Sequence, residues 1–171
     1  MTDAETELAA FAADLTRESI PPAVRSHARL VVADTTAAII GGSTDPAVSA
    51  FVEETCASVP GPATVVGHGT RTTRYVAALA NGAAGTVLEL DEGHKYAAGH
   101  PAIHVLPALL AEAETSDGSR ADFLTAFVAG YETAARAGRA CYPLADGYHP
   151  HGVWGAVGGA VAVATYRGYD A

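Results

Sequence analysis

Cysteine is scarce in this chain. There are two in 171 residues, Cys56 and Cys141, far apart and in no C-x-x-C pair. So few thiols at such spacing point to neither a disulfide framework nor a zinc knuckle, and a reducing cytoplasm is the expected compartment. Basic residues are also few: Lys95 is the only lysine, the arginines are spread from Arg17 to Arg167 without a run, and nineteen acids leave a formal net charge of -9. That balance excludes a protein whose affinity comes from neutralising nucleic-acid phosphates. No apolar run reaches the roughly 20 residues of a membrane span, the most apolar stretch being Val153 to Tyr166. The first ten residues, MTDAETELAA, are acidic where a signal peptide is basic. A soluble protein follows from these absences.

Aromatic residues make up 7% of the chain while hydrophobic residues of all kinds make up 49%. A core built largely from Ala, Val and Leu suits close-packed helices better than a thick β-sandwich. The length fits one domain, taken as 1–171. The apolar spacing predicts a helix from Thr6 to Leu15, then a longer one through AVRSHARLVVADTTAAII that opens on proline and closes at Gly41-Gly42. Asp45-Pro46 reads as an N-cap with a first-turn proline. ATVVG, 63–67, is the one fair strand signal. Helical spacing returns from Thr73 through Leu90, where Gly82 and Gly85 point to another backbone packed close by. AIHVLPALLAEAE predicts a helix kinked at Pro107. Ser119 to Cys141 predicts another, capped by Ser119 with Asp122, and 149–168 a last one. The expected fold is an all-α multi-helix bundle with at most a very short β piece near 63–67.

The titratable residues are not spread evenly. ELDEGHKYAAGHPAIH, 89–104, holds three acids, three histidines and a lysine. Two His-Pro pairs, at His100 and His149, each precede an apolar helix. Proline at a first helical position places the histidine at the helix mouth, where unpaired N–H groups concentrate positive potential. Such a mouth attracts carboxylates and keeps an imidazole neutral and able to accept a proton. Glu89, Asp91 and Glu92 fall at the end of the preceding helix, where the dipole opposes their charge. Acids kept there, beside a histidine loop, point to holding an imidazole tautomer or sharing a proton. The indicated chemistry is proton transfer on an anionic substrate. His104 shares a face with His100 but falls inside an apolar helix, where a core role is the simpler reading. A zinc helix built on His100 and His104 lacks the glutamate of H-E-x-x-H, with Pro101 in its place, and no metal or other cofactor is expected.

Four ordered phrases, ALANGAAGTVLELDEGH (78–94), GHPAIHVLPALLAEAE (99–114), GYETAARAGRA (130–140) and GYHPHGVWGAVGGAVA (147–162), resemble the MmgE/PrpD family, and IPPAVRSHARLVVADTTAAIIGG (20–42) fits as well. The resemblance implies the N-terminal helical domain of a metal-independent lyase or isomerase on small di- or tricarboxylates, dehydratase or decarboxylase in type, and usually dimeric. It carries the family's active-site positions to Glu89 and Asp91, with the leading role open between the two acids, to His100 and to His149. His100, His149 and Asp91 are the expected catalytic residues; Glu89, His94 and Lys95 are expected to bind substrate carboxylate. Family members are longer and continue through a lid domain that adds lysine and tyrosine groups. The chain is therefore expected to be a fragment, to be completed by a lid-bearing partner, or to be a non-catalytic helical subunit. Neither nucleic acid nor membrane is expected as a partner.

Overall fold

The computed structural model describes residues 3–116, 120–141 and 151–169. Among them seven α-helices follow one another: α1 (Asp3–Asp14), α2 (Pro22–Gly42), α3 (Pro46–Phe51), α4 (Arg74–Thr86), α5 (Pro101–Ala113), α6 (Arg120–Ala140) and α7 (His151–Tyr166). The only strands among the described residues, β1 (Pro60–Val65) and β2 (Thr70–Thr72), form a small antiparallel hairpin between α3 and α4. The molecule is a helical bundle, as its composition predicts.

Proline sets three helix starts, because its fixed φ and missing N–H cost nothing at a first turn. Pro22 opens α2, Pro46 opens α3 and Pro101 opens α5. Asp45 caps α3 as its sequence predicts, accepting the Ala47 N–H at 2.8 Å. The helix then widens into a π-helical turn, Val52–Cys56, which seats Val52 and Cys56 in the core. The cap expected from Ser119 lies outside the described residues.

Three expectations are corrected. β2 was not foreseen, since three residues carry no alternation long enough to read; buried Asn81 of α4 secures the hairpin by accepting the Val66 N–H at 2.9 Å and donating to the Thr64 carbonyl at 3.0 Å. α4 stops at Thr86 rather than running on to Leu90, so the acids lie past the helix end, and Glu89 adopts a left-handed φ of 52°. Gly82 has open space at its missing Cβ, whereas Gly85 faces the side chains of Ile103 and Ile39 rather than a neighbouring backbone.

α5 is apolar nearly all round, with Ile103, Val105, Leu106 and Leu109 at 6% exposure or less, and a helix of that kind belongs in the middle of a bundle. It packs against α4, α6 and α7, and α4 in turn packs on α2. Phe127 and Trp154 fill the space beside it. The N-terminus of this central helix therefore opens at one end of the bundle, and it carries His100. No helix among the described residues is long and apolar enough to cross a membrane.

Candidate active site

The segment between α4 and α5 folds back on itself. The His94 N–H donates to the Gly99 carbonyl at 2.7 Å, and the Ala97 N–H donates to His94 Nδ1 at 3.1 Å. Ala98, inside this loop, is held at a left-handed φ of 51°, a position that costs a residue with a Cβ about 1 kcal/mol. The fold-back brings His94 and Lys95 round to the front of His100. Gly99 allows the close approach that completes the arrangement: a Cβ there would sit 2.7 Å from both the His151 and the Trp154 rings.

His100 is the N-cap of α5 and makes no side-chain cap bond. Its Nδ1 lies 2.9 Å from the main-chain carbonyl of Glu92. A carbonyl only accepts, so Nδ1 carries the hydrogen and, in the neutral ring, Nε2 holds the lone pair. Asp91 Oδ2 is 3.4 Å from the same Nδ1, an ion pair when the ring is protonated but outside hydrogen-bond geometry. The Asp91 side chain is 3% exposed, and burial raises its carboxyl pKa, against the lowering effect of His100. Glu89 is exposed and close enough to raise it a little further.

One expectation about the helix mouth changes. The sequence points to a seat for a substrate carboxylate, but Glu92 Oε2 already accepts the Ala102 N–H of the first α5 turn at 3.0 Å. The other oxygen, Oε1, accepts from Tyr131 of α6 at 2.5 Å. Burial raises the Glu92 pKa in spite of these bonds and, together with the bond to Glu92, raises that of the Tyr131 hydroxyl well above its ordinary range.

An open cleft of about 520 Å³ is lined by His94, Lys95, His100, His151 and the Gly99 turn. The His100 and His151 ring centroids are 5.3 Å apart, and His151 leans on Trp154 at 5.8 Å. On the other side of the His94–Lys95 loop, Glu92 and Tyr131 line a second hollow with His27 and Asp34. The structure thus gathers His94, Lys95 and His100 at one cleft, with Asp91 buried behind and Glu89 to the outside. His149 lies outside the described residues. His104 faces α7, its ring 5.9 Å from that of Trp154, with its pKa lowered by burial. Among the described residues no group of three His, Cys, Asp or Glu converges as metal ligands.

Sequence reasoning passed over His151 and Tyr131 as site residues, and took Glu92 only as one of three acids beside the histidine loop. The run His149-Pro150-His151 carried a signal for the first, since a second histidine at the start of α7 falls on the same end of the bundle. Tyr131 carried none, because its partner is 39 residues away.

Cis-aconitate decarboxylase of Aspergillus terreus is 32% identical over 95% of this chain, and the cis-aconitate decarboxylase-like protein oryM of Aspergillus oryzae is 34% identical over 91%. The chain spans 35% of the length of each. Residues 6–171 match the MmgE/PrpD N-terminal domain, and the chain belongs to the MmgE/PrpD family.

Proposed function

We propose that this chain is the N-terminal helical part of a metal-independent cytoplasmic carboxylate lyase, a dehydratase or decarboxylase for small di- or tricarboxylates such as 2-methylcitrate or cis-aconitate. The observation that carries the proposal is the fixed His100 ring, with Nδ1 tied to a main-chain carbonyl and Nε2 left as the basic nitrogen beside an open cleft. A base held in one tautomer loses no free energy to reorientation when the proton moves. Lys95 and His94 supply the cationic and hydrogen-bonding rim that a substrate carboxylate needs, and Glu89 flanks it.

In a dehydration, neutral His100 takes a proton from the carbon next to a carboxylate, the electron pair shifts into that carboxylate as an enolate-like species, and hydroxide leaves as water after protonation. In a decarboxylation, the C–C bond to the departing carboxylate breaks, its electron pair enters the same kind of enolate-like species, and an imidazolium returns a proton to carbon. Either course needs a second proton carrier facing the first. The family resemblance gives that role to His149, with Asp91 the acid beside His100; His151, 5.3 Å from His100, is the described histidine of that segment.

Mixing the chain with a lid-bearing polypeptide and following cis-aconitate and 2-methylcitrate by NMR tests the proposal. Turnover is expected, with loss of at least a hundredfold in His100→Gln. No turnover of these or related acids by the completed protein overturns it. A second reading, a non-catalytic subunit in a homodimer or in complex with another chain, is favoured by the apolar surface of α4, where Tyr75 is 88% and Leu79 61% exposed. Co-purification with a larger protein, together with no stabilisation by citrate-like acids, would select it.

A further inference from the structure

Glu92 is used at three atoms. Its two carboxylate oxygens are clamped, one by the Tyr131 hydroxyl from α6 and the other by the Ala102 amide at the head of α5, while its main-chain oxygen receives His100 Nδ1. Tyr131 is itself held by rings on two sides, with Phe127 and His94 centroids each 5.9 Å away. A residue whose carboxylate is held through both oxygens has little freedom to turn its own peptide, so its carbonyl keeps facing the imidazole. Asp91 does not account for the same order, because its oxygen stands 3.4 Å from Nδ1 and makes no hydrogen bond.

We propose that Glu92 and Tyr131 are positioning residues for His100: the clamp from Tyr131 through Glu92 to Ala102 fixes the carbonyl that holds His100 in the Nδ1–H form and leaves Nε2 as the base of the cleft. Free histidine in water favours the opposite tautomer, so the Nδ1–H form is imposed by the protein. The neighbouring His94 supplies an internal contrast. Its Nδ1 accepts the Ala97 N–H, which makes it an Nε2–H ring when neutral. Two histidines six positions apart are thus held in opposite tautomers. The consequence for turnover rests on the proposed function; the tautomer itself does not.

Long-range proton–nitrogen NMR on the histidine-labelled chain, at a pH where imidazoles are neutral, reads both rings directly. The expected spectrum contains an Nδ1–H signature that disappears in His100→Gln and an Nε2–H signature that disappears in His94→Gln. Tyr131→Phe keeps the ring stack but removes one clamp, and Glu92→Ala removes both. Each is expected to turn the His100 signals into a mixture of tautomers while the amide spectrum stays folded. Glu92→Gln, whose amide still accepts from Ala102 and donates to Tyr131, is expected to retain the Nδ1–H form. In the completed protein, Tyr131→Phe is expected to lower kcat about tenfold with KM little changed. A wild-type His100 in the Nε2–H form overturns the proposal, and so does a His100 signature unmoved in folded Tyr131→Phe. Tautomer mixing in a protein that turns over no carboxylate supports the clamp and counts against the lyase reading alone.

Discussion

A carboxylate that is 3% exposed, with one oxygen lacking a hydrogen bond, is costly to keep ionised, and Asp91 is such a group. Because burial raises its pKa in the fold, the folded state binds more protons than the unfolded state between the ordinary carboxylate value and the raised one. Stability therefore falls as pH rises through that window, and the penalty is complete above it. Asp91→Asn is expected to raise the melting temperature at pH 7 by a few degrees, equivalent to about 1 kcal/mol in a domain of this size, and to lose the advantage below that window. The same variant is expected to lower turnover by the completed protein, the trade-off that marks a residue kept for chemistry. Thermal melts at several pH values decide the matter: an unchanged or lower melting temperature at pH 7 would show that Asp91 is a stabilising group after all.

At the scale of elements, α7 meets α6 and α5 through glycines, and the same substitution gives opposite results along it. A Cβ on Gly158 would lie 2.6 Å from the Gly130 carbonyl oxygen and 2.6 Å from the Ala134 methyl, neither of which can swing aside. Overpacking of this kind costs roughly 1–3 kcal/mol, which offsets or exceeds the ~1 kcal/mol that alanine gains over glycine in a helix. Among the described residues, no atom outside its own turn of helix lies within 4 Å of the missing Cβ of Gly152. Melts followed by circular dichroism should find Gly158→Ala less stable than the wild type and Gly152→Ala more stable by about 0.5 kcal/mol. A Gly158→Ala as stable as the wild type or more so would show that the α6–α7 seam is looser than these distances. Features set by local rules were open to sequence reading: Pro22, Asp45-Pro46 and Pro101 mark helix starts because φ and capping act within a turn, and the apolar spacing of AIHVLPALLAEAE marks the helix that became α5. Features set by contacts distant in sequence were not. β2 exists because Asn81 of α4 holds its partner strand, and the Glu92 seat on α5 depends on Tyr131, which no spacing within 89–104 discloses. His94, Lys95 and His100 come to one cleft because the loop that joins them is short and folds on itself.

The molecule as a whole is tied together by Glu112, near the C-terminal end of α5. Its carboxylate receives Arg74 from the start of α4 at 2.7 Å and Arg167 from just beyond α7 at 2.8 Å and 3.0 Å, joining segments 38 and 55 residues away. The Glu112 side chain is 7% exposed whereas the two arginines are 43% and 35% exposed, so either guanidinium regains water if the acid is removed. Removing Glu112 thus strands no buried charge. The expected cost of Glu112→Ala is about 1–2 kcal/mol, the loss of charge-assisted hydrogen bonds, and not the larger penalty of a broken buried pair. That corresponds to a melting temperature lower by roughly 2–8 °C. The bond from Arg167 is the first cause of the lowered Glu112 pKa, with Arg74 adding to it against burial. A carboxyl lowered in the fold contributes stability that is present in full above its ordinary range and is lost as pH falls through the lowered value. The gap between wild type and Glu112→Ala is accordingly expected at pH 7 and should close as the buffer is taken well below about pH 4. A gap of constant size across that range would mean that Glu112 acts through packing of its methylenes and that the two arginines are bystanders.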